Sequence, residues 1–196
     1  SMLELRSKID VLRPRQTPLV RVGISPHAPY TVSDALFSAA AAYSRDERLP
    51  MAIHIAESEL ETTLVRDGTG DFADGLRARG IAVASRATSP IALLAGLGVL
   101  SARPLLIHCV RVDTRDVHAI ADAHCAVAHC PASNAKLGHG IAPLTELLDG
   151  SIDVGLGSDS MASNNYMDML GEARLAVLAQ RARVGTQAHI DASRAL

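Results

Sequence analysis

The chain has 196 residues, which is enough to bury one hydrophobic core and short for two domains. Its 48% hydrophobic and 20% charged residues, with a net charge of −2, are typical of a globular protein and argue against disorder. A near-neutral charge, two Phe, three Tyr and no Trp argue against a nucleic-acid binder, and no apolar run is as long as a membrane span. We expect a single domain, 1–196, with neither nucleic acid nor membrane as a partner.

The three cysteines point to a cytoplasmic location. Cys109, Cys125 and Cys130 are odd in number and lie in apolar, strand-like stretches. This arrangement predicts buried free thiols of a reducing compartment rather than a disulfide framework.

Short β-branched segments alternate with helical patterns along the chain. After a helix end at 2–13, strands are expected at 19–25, 51–55, 104–110, 125–130 and 152–157. Helices are expected at about 32–45, 71–79, 89–97, 113–123, 142–149 and 165–183, with a polar loop containing Gly68 and Gly70 after the second strand. This alternation predicts βα units and a parallel sheet.

Five βα units fit two architectures. An open, doubly wound sheet needs about five parallel strands, and the length of the chain favours it. A TIM barrel needs eight strands, so this chain could hold only part of one. The polar residues at the strand ends favour the barrel.

Polar side chains follow four of the five predicted strands at their carboxyl ends. His27 follows the first strand, His54 and Glu57 lie at the end of the second, His108 ends the third, and Asp159 follows the fifth. The carboxyl ends of parallel strands meet at one edge of a sheet, where α/β proteins build their sites. We therefore expect these groups to converge on one pocket.

The residue types at this edge suit a metal-dependent reaction. Imidazole and carboxylate groups bind zinc and similar divalent ions, so His54 and Asp159 are candidate ligands, although a catalytic zinc normally has at least three protein ligands. Glu57 lies three residues beyond His54 and is better placed to carry a proton. His108 could be a ligand or could orient a water molecule and an oxyanion.

The remaining polar motifs are interpreted as structural. His118 and His189 are expected on the surface, and His124 precedes a strand at its amino end. "CPASN" (130–134) is expected to be a loop lining the pocket, and "GHGIAP" (138–143) a turn.

Five segments, taken in this order, resemble the carboxyl-terminal two-thirds of the barrel of the amidohydrolase superfamily. They are "SPHAPYT" (25–31), "HIAESELE" (54–61), "LLIHCV" (105–110), "AHCPASNAKLG" (128–138) and "GLGSDSMASNNYMDML" (155–170). The resemblance is to the branch of cytosine, guanine and adenosine-type deaminases and chlorohydrolases, and it covers about residues 19–183. It implies an α/β fold, a partial TIM (β/α)8 barrel containing strands four to eight; the alternative is the five-stranded doubly wound parallel sheet.

The resemblance also implies a role for each candidate residue. His54 and Asp159 would bind the metal, Glu57 would be the general acid and base, and His108 and Asp159 would assist catalysis. His27, His108, Ser133 and Asn134 would contact the substrate or shape its pocket. One divalent metal ion is implied, zinc first, with iron or manganese as alternatives.

The implied reaction is hydrolytic deamination of an amino-substituted heterocycle. The segment 66–81 and "GSDSMASNN" (157–165) favour a purine nucleoside-like substrate such as adenosine, S-adenosylhomocysteine or aminodeoxyfutalosine. The alternatives are a chlorohydrolase of a triazine-like ring and a non-catalytic half-barrel that serves as a binding or scaffold module.

The chain departs from the family pattern at its amino end. The family's first strand carries an H-x-H pair that supplies two metal ligands, and no such pair occurs here. Strands one to three and the small β-sandwich are also absent from the pattern. We therefore expect a fragment that lacks part of the metal site, that binds the metal weakly or not at all, and that covers its open surface as a homo-oligomer.

Overall fold

The computed structural model describes residues 1–185 and 190–191, and His189 lies outside that range. The helices are α1 (Met2–Leu12), α2 (Asp34–Asp46), α3 (Glu59–Asp67), α4 (Asp71–Ala78), α5 (Pro90–Gly96), α6 (Thr114–Asp122), α7 (Pro131–Lys136), α8 (Leu144–Asp149), α9 (Met161–Asn164) and α10 (Met169–Val184). The strands are β1 (Ala52–Ile55), β2 (Leu105–His108), β3 (Val127–His129) and β4 (Val154–Leu156). Short 3-10 helices occur at Arg13–Arg15 and Val99–Ala102.

The sheet has the strand order of a barrel segment. Over the described residues it contains four strands in the order β1-β2-β3-β4, and each neighbouring pair is parallel. A doubly wound sheet reverses its strand order at a switch point, whereas a barrel adds strands in sequence. The sequential order therefore supports the barrel and speaks against the doubly wound alternative.

Burial alternates across the sheet in a way that also fits a barrel segment. Ile53, Leu106 and Val127 are fully buried against the helices, whereas His54 and Ile107 on the other face are partly exposed. A doubly wound sheet is covered on both faces. One packed face and one open face are what part of a barrel wall would present.

The prediction of a strand at 19–25 is wrong. This segment forms two isolated bridges and no strand: Val20 pairs with Thr17 in an antiparallel bridge, and Ile24 pairs with Met51 in a parallel one. Just beyond it, the His54 N–H donates to the His27 carbonyl at 2.9 Å. Pro26 has no N–H to continue a ladder, and Leu19 is 95% exposed, so neither hydrogen bonding nor burial supports a strand here. The backbone nevertheless runs beside β1 and brings His27 to the carboxyl edge of the sheet.

The predicted polar loop after β1 is a helix, α3. The Ser58 hydroxyl accepts a hydrogen bond from the Glu61 N–H and caps the helix, Leu64 and Val65 bury its inner face, and Gly68 ends it at φ +66°. The hydrophobic positions are few, which concealed the helical pattern in the sequence.

Two further segments differ from their predictions. "CPASN" begins the helix α7 rather than a loop, with Pro131 at its first position, where a proline fits a helix. The helix predicted from 165 starts at Met169, because the Asp168 side chain caps it by accepting from the Leu170 and Gly171 N–H groups. The short helix α9 precedes it.

Candidate active site

His54 is the central imidazole of a row of three at the carboxyl edge of the sheet. Its ring centroid lies 5.1 Å from that of His27 and 5.4 Å from that of His108. Burial and the neighbouring His27 lower the pKa of His54, against the opposing effect of Asp159. Its Nδ1 atom is buried and has no hydrogen-bond partner within the described part of the chain, so β1 presents a neutral imidazole with an uncommitted nitrogen.

A buried carboxylate shapes the turn that follows β1. The two carboxylate oxygens of Glu61 accept hydrogen bonds from the Ala56 N–H at 2.9 Å and the Glu57 N–H at 3.0 Å. Ala56 has a left-handed backbone, with φ +51°, which these bonds help to hold. Glu61 is fully buried, and burial raises its pKa to about 7. Glu61 was not singled out in the sequence, although its place in the first turn of a capped helix is a usable signal.

The Glu57 carboxylate lies between two imidazoles. Its Oε1 atom is 3.5 Å from His108 Nε2 and 3.4 Å from His139 Nε2. Burial and the charge of Asp159 raise the pKa of Glu57. A carboxyl whose pKa is moved toward neutrality is suited to take up and release a proton.

His108 is the last residue of β2, and a hydrogen bond with Asn134 fixes the orientation of its ring. Its Nδ1 atom is 3.0 Å from Asn134 Oδ1, which can only accept, so Nδ1 carries the proton. Burial lowers the pKa of His108 to about 4, which keeps the ring neutral. Its Nε2 atom therefore directs a lone pair toward Glu57.

Asp159 is held as a carboxylate after β4. The Ser133 and Ser163 hydroxyls each donate to its Oδ2 atom at 2.6 Å. Burial acts to raise the pKa of Asp159, but these bonds and the backbone of Ser160 outweigh it, so the pKa is lowered. Ser163 was not singled out in the sequence.

A second buried carboxylate, also missed in the sequence, joins the segments around Asp159. Glu172 accepts from the Ala132 N–H at 3.0 Å and from the side-chain amide of Asn164, which also donates to the Ser158 carbonyl at 2.7 Å. Glu172 is 3% exposed. It ties α10 to the start of α7 and to the loop that carries Asp159.

The residues predicted to contact substrate lie around this cluster. His27 is exposed, and its ring packs edge-on against Tyr30. Its Nδ1 atom forms a hydrogen bond of 2.9 Å with the Thr31 hydroxyl. Ser133 and Asn134 use the hydrogen bonds just described to hold Asp159 and His108. Their contact with substrate stays a prediction.

The donor atoms fit part of a divalent metal site. The uncommitted Nδ1 of His54 and the ionised Asp159 are suitable ligands, and the charge of Asp159 acts to raise the pKa of His54. No group of three or more His, Cys, Asp or Glu side chains able to hold a metal ion occurs in residues 1–185 and 190–191. Two ligands are fewer than a catalytic zinc normally has.

The cysteines and His118 have the burial that the sequence predicts, and Cys130 adjoins the site, where burial and the charge of Asp159 raise the pKa of its thiol. Cys109, Cys125 and Cys130 are all buried and free, as predicted. His118 is exposed on α6, also as predicted. Among the described helices, none is long and apolar enough to cross a membrane.

Comparisons with known proteins agree with this fold. The model of the amidohydrolase family matches residues 1–196. The chain is 36% identical over 178 residues to the 5'-deoxyadenosine deaminase of Methanothrix thermoacetophila, covering 91% of this chain and 39% of that protein.

Two solved structures are similar to the chain over nearly all of its length. One is an adenosine deaminase from Xanthomonas campestris with bound zinc, at a TM-score of 0.79 and 29% identity, covering 96% of this chain and 40% of that one. The other is a mutant atrazine chlorohydrolase from Arthrobacter aurescens complexed with zinc and atraton, at a TM-score of 0.78 and 26% identity, covering 97% and 39%. The chain thus spans about two fifths of the length of these proteins.

Proposed function

We propose that this chain, which belongs to the amidohydrolase family, supplies the acid–base half of a site that hydrolytically deaminates an adenine nucleoside-like compound. The observation that carries the proposal is the position of the Glu57 carboxylate beside His108, at the same sheet edge as His54. Its similarity to the 5'-deoxyadenosine deaminase supports the substrate class.

The side chains divide the proton transfers between them. Glu57, with its raised pKa, takes one proton from the attacking water and delivers it to the ring nitrogen. It then takes the second proton from the hydroxyl group added to the ring carbon and delivers it to the leaving amine, which departs as ammonia. Neutral His108 accepts a hydrogen bond from the same water through its Nε2 lone pair and so orients it. His27 contacts the heterocycle from the adjoining loop.

A divalent ion is part of the proposal. His54 Nδ1 and Asp159 would hold it, with further ligands from residues outside this chain. When bound, such an ion lowers the pKa of a water molecule toward neutrality. Zinc is the first choice because the similar adenosine deaminase contains it, and iron or manganese would suit the same donors.

A chlorohydrolase is the second candidate. It is favoured by the structural similarity to the atrazine chlorohydrolase, whose TM-score nearly equals that of the adenosine deaminase. Both reactions direct water at an electron-poor ring carbon and differ in the group that leaves. The leaving group therefore distinguishes them.

The test compares ammonia release with chloride release. Two proteins are expressed: the 196-residue chain by itself, and the longer product of the surrounding genomic reading frame. Each protein is assayed with 5'-deoxyadenosine, adenosine, aminodeoxyfutalosine and atrazine, and its metal content is measured. We expect ammonia from an adenine or aminodeoxyfutalosine substrate and a bound divalent ion in the longer product. Chloride release alone would support the second candidate, and a metal-free longer product without turnover would refute both.

A cytoplasmic location completes the proposal. Its support is chemical: the three thiols are buried, free and unpaired in the described structure, which suits a reducing compartment.

A further inference from the structure

The segment between α7 and α8 is a surface loop with one inward-facing side chain. From 135 to 141 every residue is exposed except His139, whose side chain is 22% exposed. Gly138 and Gly140 flank it with φ angles of +71° and +110°, which a glycine adopts without strain. The backbone conformation therefore turns one imidazole inward.

The loop is anchored on both sides of His139. The His139 N–H donates to the Asn134 carbonyl at 2.9 Å, which ties it to the helix that holds His108. Farther along, buried Gln180 donates to the Ala142 carbonyl at 2.7 Å. The position of the His139 ring is thus set by the same elements that build the site.

The inward ring meets the Glu57 carboxylate. His139 Nε2 is 3.4 Å from Glu57 Oε1, slightly longer than an ordinary hydrogen bond. The other neighbour of that oxygen, His108 Nε2, offers a lone pair because its proton is on Nδ1. An ionised carboxylate oxygen gains no hydrogen bond from a lone pair, so it needs a donor from another neighbour to be held there.

We propose that His139 is a positioning residue that donates its Nε2–H to Glu57 Oε1. This bond holds the carboxylate against the lone pair of His108 and leaves Oε2 directed toward the substrate. The inference rests on the proposed function for its catalytic consequence, whereas the contact itself is a property of this chain.

The contact is tested first by spectroscopy on the 196-residue chain. Long-range 1H–15N spectra of 15N-histidine-labelled protein are recorded for the parent and for Glu57→Gln at a pH at which the imidazoles are neutral. We expect the His139 ring to be protonated at Nε2 and its Nε2 shift to change in Glu57→Gln, while exposed His118 is unchanged. A His139 ring protonated at Nδ1, or an Nε2 shift indifferent to Glu57→Gln, would overturn the proposal.

The positioning role is tested by measuring turnover in whichever expressed protein, the 196-residue chain or the longer one, releases ammonia. His139→Phe keeps a ring without a donor, His139→Gln keeps an N–H donor, and His118→Gln is the matched control. We expect His139→Phe to lower kcat about 10-fold with KM nearly unchanged, since a hydrogen bond to a charged group is lost. His139→Gln should recover part of the loss.

The two readouts separate this inference from the proposed function. An unchanged kcat in His139→Phe, or an effect on KM alone, would refute the positioning role while the deaminase assignment stands. If the parent has no turnover, the proposed function fails, and the spectra alone decide whether His139 donates to Glu57.

Discussion

At the scale of single residues, Glu57 has the environment of a proton carrier. It is partly buried, its pKa is raised, and two neutral imidazoles approach one of its oxygens. In the longer, active product, Glu57→Gln should lower kcat roughly 10²–10⁴-fold and retain the metal, because the amide has nearly the same shape but cannot carry a proton. Steady-state kinetics and metal analysis check this.

The matched control for that change is Glu59→Gln. Glu59 lies two residues farther on, is 56% exposed, and makes only a long contact of 3.7 Å with Arg111 among its ion pairs in the described structure. Its substitution should leave kcat unchanged. Equal rates for Glu57→Gln and Glu59→Gln would remove Glu57 from the mechanism.

Asp159 is expected to behave differently from Glu57. Two serine hydroxyls hold it in the ionised form that a metal ligand needs. Asp159→Asn should therefore lower the metal content and kcat together, as measured by metal analysis beside the kinetics. Full metal content with reduced kcat would make Asp159 a proton carrier and not a ligand.

At the scale of elements, the end of α3 depends on a close approach between two segments. A Cβ atom on Gly68 would lie 2.7 Å from the Ala84 carbonyl carbon, and Gly68 also has φ +66°. Gly98 has a similar φ of +70°, but none of the described atoms lies within 4 Å of the corresponding position. Comparing an alanine substitution at Gly68 with one at Gly98 therefore separates the effect of backbone strain from that of steric overlap.

Both glycine-to-alanine changes should destabilise the chain, and Gly68→Ala should do so more. Each pays a left-handed backbone cost of about 1–2 kcal/mol. Gly68→Ala should add about 1–3 kcal/mol from the overlap. Urea unfolding gives both free energies, and equal losses would show that the segment at Ala84 moves aside freely.

The turn between β1 and α3 should make stability depend on pH through Glu61. Folding raises its pKa from about 4.5 to about 7, chiefly by burial, so the folded chain holds the proton more tightly than the unfolded chain. The contribution of Glu61 to the free energy of unfolding is therefore complete below pH 4.5 and is lost as the pH rises through about 7. The free energy of unfolding of the parent, relative to Glu61→Gln, should fall over this window.

Glu59→Gln serves again as the control for this measurement. It removes a carboxyl from the same helix turn without removing a buried group, so it should keep the pH slope of the parent. If the free energies of unfolding of the parent and of Glu61→Gln change in parallel with pH, Glu61 is ionised in the folded chain throughout the window.

At the scale of the whole molecule, the open face of the sheet is the main feature. Leu105 and Ile107 point to this face, and Leu105 is 40% exposed. Apolar surface of this kind is usually covered. The chain by itself should therefore run as an oligomer in size-exclusion chromatography with light scattering.

Substitutions on and off the open face test that expectation. Leu105→Lys should shift the chain toward the monomer, because it places a charge in the apolar face. Leu3→Lys, at an 81% exposed position on α1, should not. A monomeric parent would show that the open face is stable in water.

The sequence by itself determined the family, the parallel βα order and the residues at the strand ends. These follow from local patterns: a short apolar strand, a polar residue at its carboxyl end and a motif of fixed spacing. His54, Glu57, His108 and Asp159 were found in this way because each belongs to such a motif.

The tertiary structure decided which groups support those residues. Glu172 and His139 act through contacts with distant segments of the chain, and nothing in their local sequence distinguishes a buried carboxylate or an inward imidazole from a solvated one. The loss of the strand at 19–25 has the same origin, since strand formation depends on a partner and on burial that the neighbouring segments provide. Local pattern fixes which residues reach the sheet edge, and long-range packing fixes their charge, orientation and partners.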